Sequence, residues 1–231
     1  RFDHFFANSR WTASTLPKPV LDRHYPIEIV HPVSGVRAAS AGKRRTEGQP
    51  LRVLSLSRLS PWKGIHTTIE AVKLVRNSGL DIQLSIAGGN PFGGDEYEER
   101  LRVASQNANG AVKFIGTVAD VGPLLETHDA LVCASATPEP FGQVLIQGMA
   151  RGLVVVATDA GGPREIIEAD RSGMLVPFER PLDLAHALTE LALDHDKFEK
   201  ISQAGVERSR FFTDDRTVPA FEESILGLLG R

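Results

Sequence analysis

The 231-residue sequence predicts an α/β fold, in which a doubly wound parallel sheet carries helices on both faces. Short runs rich in Val, Ile and Leu alternate with amphipathic segments, and this alternation is typical of β-α-β units. Several of the apolar runs are nearly continuous, as expected for parallel strands that are buried on both faces. Hydrophobic residues make up 42% of the chain, so it can bury the core of such a domain.

The predicted elements follow one another in a regular order. The strands cover residues 51–57, 81–87, 111–116, 129–135, 153–158 and 173–177. Helical periodicity predicts helices over 64–79 and 95–107, and a further helix after Phe141. From Pro181 onward the pattern is all-helical, with Leu184, Leu188 and Leu191 on one stripe and a last helix over 218–229. Together these elements predict one Rossmann-like unit.

The first 47 residues differ in pattern from the rest of the chain. They predict a small lead-in segment followed by a flexible, basic loop, whereas residues 48–231 predict the Rossmann-like domain with its C-terminal helices. The sequence begins at Arg1 rather than at Met, and we expect it to be part of a longer chain.

Composition excludes several classes of partner. The formal net charge of −3 gives no reason to expect a nucleic acid or an anionic membrane surface. No apolar run approaches the length of about 20 residues that spans a bilayer, and the N-terminus lacks the apolar core of a signal peptide. The single cysteine, Cys133, lies in an apolar strand pattern and is expected to be a buried, unpaired residue. This cysteine usage fits a cytoplasmic protein.

The loops that follow the strands hold most of the chemically suggestive residues. In an open α/β sheet, ligands bind beyond the carboxyl ends of the strands. The loops that follow strands here cover residues 58–63, 88–94, 116–118, 135–141 and 159–162. We therefore expect them to share one edge of the sheet and to form the site.

Arg58 and Lys63 occupy the first of these loops. An arginine fork and a movable lysine charge could clamp a diphosphate, although two solvated surface cations are the commoner alternative. The second loop contains Gly88 and Gly89, followed by Gly93 and Gly94, a spacing that fails the G-x-G-x-x-G pattern of dinucleotide sites. These glycines would allow a ligand to approach the backbone closely, or would simply form a turn.

The last of these loops ends in a short helix. Gly161 and Gly162 precede Pro163, which is predicted at the first helical position, where backbone amides can bind an anion or a hydroxyl. Glu165 lies in the first turn, where the helix dipole favours an acid whatever the function, and we expect a structural role for it.

Glu139 lies between Pro138 and Pro140, and both prolines restrict its backbone. Phe141, Gly142 and Gln143 then begin a helix whose free amides could receive a phosphate. A sugar joined to that phosphate would fill the space between the acid and the helix, with its hydroxyls donating to Glu139. The alternatives are that Glu139 caps the helix and that Gln143 and Gln147 are exposed surface amides.

Asp194 and Asp196 resemble a metal-binding D-x-D motif. They fall between two late helices, away from the strand edge, and a helix cap explains them better. The seven histidines show no ligand spacing, so the sequence predicts no metal site.

Four ordered motifs resemble the C-terminal domain of glycosyltransferase family 4, retaining enzymes with the GT-B fold. They are "RVLSLSRLSPWKGIHTTIEAV", "GTVAD", "SATPEPFGQVLIQGMARGLVVVATDAGGPREII" and "SGMLVP". The likeness is firm over residues 50–180. It implies that the domain binds a nucleotide-diphosphate sugar, such as a UDP- or GDP-sugar, and transfers the sugar to an acceptor hydroxyl without a metal or other cofactor.

The resemblance also implies roles for individual residues. Arg58 and Lys63 would contact the diphosphate, and backbone groups of Phe141, Gly142 and Gln143 would hold the phosphates and the sugar. Glu139 matches the first acid of the family's E-x7-E motif, which contacts the sugar, and the second acid, which binds the ribose, falls on Gln147. Gly116 and Val118 would lie by the base, with Gly161 and Gly162 near the sugar and diphosphate, and Gly88 and Gly89 in the donor site.

A GT-B enzyme has two Rossmann-like domains, and its acceptor site lies largely in the N-terminal one. The resemblance therefore implies that the acceptor domain is missing from this chain. The chain alone would then be nearly inactive, exposed apolar residues of the last helix could drive self-association, and any peripheral membrane contact would occur through the missing half.

Three alternatives stay open at the level of sequence. A nucleotide-sugar epimerase or a phosphorylase shares the GT-B architecture. A binding module without catalysis is favoured slightly by the amide at Gln147. An NAD-binding domain is disfavoured because the first loop holds a pair of cations and no G-x-G-x-x-G motif is present.

Overall fold

The computed structural model describes residues 4–90 and 95–229, and these residues form eight strands. The strands are β1 (Phe5–Ala7), β2 (Ile27–Ile29), β3 (Leu51–Leu56), β4 (Ile82–Ala87), β5 (Val112–Gly116), β6 (Ala130–Cys133), β7 (Val154–Thr158) and β8 (Met174–Val176). β1 and β2 pair in parallel as a small separate sheet, whereas β3 to β8 form one parallel sheet in the order β5-β4-β3-β6-β7-β8. All six predicted strands are confirmed.

The same residues form ten α-helices. They are α1 (Arg10–Ser14), α2 (Lys18–Leu21), α3 (Ile65–Asn77), α4 (Asp95–Ser105), α5 (Gly122–Thr127), α6 (Gln143–Ala150), α7 (Pro163–Ile166), α8 (Pro181–Leu193), α9 (His195–Ser209) and α10 (Asp214–Leu229). Two 3-10 helices cover Pro61–Lys63 and Arg210–Phe212. The helices predicted over 64–79 and 95–107, and after Phe141, are α3, α4 and α6. The last helix begins at Asp214 and not at residue 218 as predicted, because two acids in its first turn suit the helix dipole.

Helices cover both faces of the large sheet, as the near-continuous apolar strands predict. In β3, Leu51 and Val53 point to the face covered by α3, α4 and α8, whereas Leu54 points to the face covered by α5, α6 and α7. The stripe of Leu184, Leu188 and Leu191 on α8 is buried in the first of these two cores. The doubly wound α/β prediction is confirmed.

The strand order places a crevice at the centre of the sheet. From β3 the chain adds β4 and β5 on one side, and it then returns to add β6, β7 and β8 on the other side. The connections therefore diverge between the carboxyl ends of β3 and β6, and such a switch point is where ligands bind in open α/β sheets. The loops 58–63 and 135–141 follow these two strands.

The first 47 residues pack against the large domain. Ser9 caps α1, and the Glu165 carboxylate accepts hydrogen bonds of 3.0 Å from the backbone amides of Arg10 and Trp11 at the start of the same helix. Glu165 therefore has the structural role expected of it, although it caps α1 as well as lying in the first turn of α7. The division of the chain at residue 47 stays a prediction.

The basic loop of the lead-in is anchored by the half-buried Lys43 and by the buried side chain of Arg45. The Lys43 ammonium donates to the carbonyls of Leu125, Glu126 and His128 at the end of α5. The Arg45 guanidinium donates to the buried Asp129 carboxylate at 3.3 Å, and Arg52 donates to the same carboxylate. In the part of the chain that the structure describes, no helix is both long and apolar enough to cross a membrane.

Candidate functional site

The loops after β3 and β6 meet at the central crevice. The first loop ends in the 3-10 helix Pro61–Lys63, and the second runs from Ser135 to Phe141. A backbone hydrogen bond of 2.8 Å from Ala136 to the carbonyl of Trp62 joins the two loops directly. The expected convergence at this edge therefore holds for the two loops that border the switch point.

Lys63 and Glu139 form an ion pair across this crevice. The distance between the Lys63 Nζ and the Glu139 Oε2 atoms is 2.7 Å, and the two side chains are only 13% and 12% exposed. The Ser135 hydroxyl donates to the same Oε2 atom at 2.8 Å. The site thus places a cation suited to a phosphate next to an acid suited to a sugar hydroxyl.

Glu139 does not cap the helix that follows it, so that alternative is wrong. The N-cap residue of α6 is Gly142, and this cap includes no side-chain hydrogen bond. Binding of an anion by the amides of Gly142 and Gln143 at the start of α6 stays a prediction. Phe141 offers only its backbone here, because its ring is buried and stacks on His31 with 5.1 Å between ring centroids.

Arg58 and Lys63 lie near the same indole ring. The Lys63 Nζ atom is 4.0 Å from the centroid of the Trp62 ring, and the Arg58 Cζ atom is 5.9 Å from it. The two residues predicted to bind the diphosphate therefore lie close together, and Trp62 stabilises both of their positive charges by cation–π interaction. Sequence analysis did not single out Trp62, although an aromatic residue between two loop cations is a signal that could have found it.

Gly161 and Gly162 contact the backbone of Glu139 and Phe141. The Gly162 amide donates to the Glu139 carbonyl at 2.8 Å, and Gly161 forms a parallel bridge with Glu139. Gly161 has a φ of +70°, and a Cβ atom there would lie 2.2 Å from the Glu139 carbonyl oxygen. The two glycines are therefore needed here because they let this loop pack closely against the backbone of Glu139. The contact of Gly161 and Gly162 with the donor stays a prediction.

The amides of Gln143 and Gln147 hold the lead-in segment. The Gln143 Nε2 atom donates to the Val33 carbonyl at 2.5 Å, and the Gln147 Nε2 atom donates to the Ser34 carbonyl at 2.7 Å. A glutamate at 147 has no proton to give to this carbonyl, which is a physical reason for the amide. Gln147 is half-buried, so it is not an exposed surface amide, and its Oε1 atom is the one that could accept from a ribose hydroxyl.

The remaining predicted residues continue along the same edge. The Gly88 amide donates to the Gly116 carbonyl at 2.8 Å, and the Leu59 amide donates to the Gly89 carbonyl at 3.0 Å. These bonds place the loops after β3, β4 and β5 side by side, with the half-buried Val118 two residues beyond Gly116. Residues 91–94 of the glycine-rich loop, including Gly93 and Gly94, lie outside the described residues.

Cys133 lies beneath the site as a buried, unpaired thiol, as predicted. Burial, together with the Glu139 charge, raises the pKa of Cys133 to about 11, so the thiol is protonated at neutral pH.

Asp194 caps α9 by accepting from the Lys197 amide at 2.8 Å, which confirms the helix-cap interpretation of that acid.

The fold and this edge define the class to which the chain belongs. The family model described as "Glycosyl transferases group 1" matches residues 37–208. The chain is therefore a member of the group 1 glycosyl transferases, and the resemblance noted in the sequence is confirmed.

Two curated relatives are named as glycosyltransferases. The GDP-mannose-dependent alpha-(1-6)-phosphatidylinositol monomannoside mannosyltransferase of Mycobacterium tuberculosis is 32% identical over 181 residues, which are 73% of this chain and 45% of that protein. The putative colanic acid biosynthesis glycosyltransferase WcaL of Salmonella typhimurium is 30% identical over 167 residues, which are 68% of this chain and 40% of that protein. The chain thus spans less than half the length of these relatives.

Solved structures support the fold. The Anabaena protein HepE, crystallised in complex with UDP-glucose, superposes with a TM-score of 0.82 at 23% identity, over 97% of this chain and 64% of that one. The predicted fold class, a Rossmann-like domain that forms the C-terminal half of a GT-B fold, is confirmed.

Proposed function

We propose that this chain is the donor-binding domain of a retaining glycosyltransferase, and that it binds a nucleotide-diphosphate sugar. The observation that carries the proposal is the Lys63–Glu139 pair at the switch point of the sheet. A diphosphate is bound by cations, and a sugar is bound by hydrogen-bond acceptors. The Lys63–Glu139 pair places one group of each kind in the crevice. HepE in complex with UDP-glucose and the GDP-mannose-dependent mannosyltransferase support a donor of this class.

The leaving group is the nucleoside diphosphate. Arg58, Lys63 and the first amides of α6 would neutralise its growing charge, so this chain's own residues supply the electrostatic stabilisation without a metal. Glu139 would hold the sugar by its hydroxyls and is not assigned as a nucleophile. The sugar would then pass to an acceptor hydroxyl with retention at the anomeric carbon.

The base and the ribose would occupy the side of the site away from Glu139. The backbone of Gly116 and Val118 would lie by the base. The Oε1 atom of Gln147 would accept from one ribose hydroxyl, with less strength than a carboxylate because the bond is not charge-assisted.

The acceptor would bind on a separate N-terminal domain. The present chain would therefore bind the donor and turn over little by itself. We propose a cytoplasmic location for the whole enzyme, and membrane contact only through that other domain.

The test is a calorimetric titration of the chain with UDP, GDP and ADP. We expect one of them to bind, and the double variant Arg58→Ala/Lys63→Ala to lose at least about 100-fold in affinity, because each charged hydrogen bond contributes about 1.5–3 kcal/mol. The matched control is Arg171→Ala/Lys200→Ala, which removes the same charge from exposed positions away from the crevice. An equal loss in the two double variants, or no binding of any nucleotide to the wild type, would refute the proposal.

A further inference from the structure

The two strong donors to the Glu139 carboxylate share one of its oxygens. Among the contacts of the described residues, Lys63 Nζ at 2.7 Å and Ser135 Oγ at 2.8 Å both meet Oε2, and the weak Cys133 thiol contact at 3.9 Å meets it too. The carboxylate is thus held from one side, and Oε1 is left as the acceptor for a ligand.

We propose that Ser135 is the positioning residue for the donor sugar: its hydroxyl retains Oε2 of Glu139 when Lys63 turns to the diphosphate, and so keeps Oε1 directed at the sugar. The inference rests on the proposed function and deepens it. It divides the site into a movable partner of Glu139, which is Lys63, and a fixed one, which is Ser135.

Ser135 is fixed by its surroundings. The residue is only 1% exposed, and its carbonyl accepts a 2.9 Å hydrogen bond from the buried Thr158 hydroxyl at the end of β7. The Glu139 backbone is fixed as well, because the Gly162 amide donates to its carbonyl. The side-chain torsions of Glu139 are then the remaining freedom, and the Ser135 hydrogen bond restricts them.

Lys63 is suited to change partners. Its ammonium sits on a flexible stem, and the Trp62 ring, 4.0 Å away, stabilises the charge without binding it to one place. A nucleoside diphosphate carries more negative charge than one carboxylate, so it competes with Glu139 for this cation. Glu139 without Lys63 would lose its orientation unless a second donor held it.

Because of this competition, Glu139→Gln should change the affinities for a nucleoside diphosphate and for a nucleotide sugar in opposite directions. Glu139→Gln removes the competing charge from Lys63, so the variant should bind a nucleoside diphosphate more tightly than the wild type does. The same variant should bind the matching nucleotide sugar more weakly, because an amide is a poorer acceptor for the sugar hydroxyl than a carboxylate.

The experiment compares Ser135→Ala with the wild type in calorimetric titrations with UDP and UDP-glucose, and with GDP and GDP-mannose. For the pair that binds, we expect affinity for the nucleotide sugar to fall about tenfold and affinity for the free nucleotide to change less than about twofold. Ser202→Ala is the matched control, since Ser202 is equally buried but donates to Gly152, outside the site. Ser135→Cys replaces the hydroxyl with a slightly larger group that is a weak donor, and it tests the same point if the alanine variant fails to fold.

A second comparison shows whether Ser135 acts through Glu139. In a Glu139→Gln background, Ser135→Ala should cause no further loss of affinity for the nucleotide sugar, because the group that Ser135 orients is already altered. Additive losses would overturn the inference, as would equal losses for nucleotide and nucleotide sugar in Ser135→Ala. If none of the four ligands binds the wild type, this inference falls, and the proposed function falls too if ADP also fails to bind.

Discussion

Gly161 offers a sharp test of how the site is supported, because its substitution leaves every charged group in place. A Cβ atom at this position would lie 2.2 Å from the Glu139 carbonyl oxygen, whereas Cβ atoms essentially never come closer than 3.0 Å to a non-bonded heavy atom. The two backbones must therefore separate by at least about 0.8 Å in Gly161→Ala, which displaces the Glu139 carboxylate. We expect affinity for the nucleotide sugar to fall at least about tenfold, because a hydrogen bond to a charged group contributes about 1.5–3 kcal/mol.

The control for Gly161→Ala is Gly48→Ala. Gly48 has a φ of +78°, close to the +70° of Gly161, but a Cβ atom there would meet nothing within 4 Å. Both variants should lose about 1–2 kcal/mol of unfolding free energy from the left-handed backbone, and only Gly161→Ala should lose more and also lose affinity. Urea denaturation and calorimetry with the nucleotide sugar measure the two effects. Equal affinity in the two variants would refute the claim that this close approach positions Glu139.

Two further predictions concern stability. Asp129→Ala should lower the free energy of unfolding by about 3–5 kcal/mol, because it leaves the buried Arg45 guanidinium without its carboxylate. The control Glu126→Ala removes an exposed ion pair and should change the free energy of unfolding by less than about 1 kcal/mol. Similar urea midpoints for the two variants would contradict this prediction. Burial lowers the pKa of His128 below its usual 6.5, so the unfolded chain binds more protons than the folded chain as pH drops below about 7. The free energy of unfolding should therefore fall as pH drops from about 7 through the folded pKa. Urea titrations across this range should show a smaller fall in His128→Asn, and an equal fall in the wild type and the variant would contradict the prediction.

The sequence predicts the large sheet well because its strands are buried on both faces. A run such as residues 153–157 is apolar at every position, and burial on both faces is the arrangement that satisfies it. The carboxyl-edge rule then places Lys63 and Glu139 near each other, although 76 residues separate them in the chain. Both predictions depend on topology and not on the details of packing.

The contacts made by the lead-in segment were not predictable in the same way. The β1 and β2 strands have three residues each, which is too short for a periodic pattern. The amides of Gln143 and Gln147 could equally point to solvent, and only the folded position of the Val33 and Ser34 carbonyls selects this face of α6. Long-range pairing of this kind leaves no local signal.

Ser135 shows the same limit within the site. A serine after a buried strand is common in loops, and its spacing of four residues from Glu139 has no meaning until the loop conformation is known. The loop turns the hydroxyl onto Oε2 because the Ser135 carbonyl is held by Thr158, a residue from another strand. Sequence analysis identified the acid and missed the group that orients it.

The central claim is that the crevice between β3 and β6 binds the diphosphate of a nucleotide. The most direct measurement is a backbone amide NMR map of the chain during titration with the nucleotide that binds in calorimetry. We predict that the largest shifts fall on loops 58–63 and 135–141 and on the first turn of α6. Shifts confined to the opposite edge of the sheet, for example around Arg45 and Asp129, would contradict the claim.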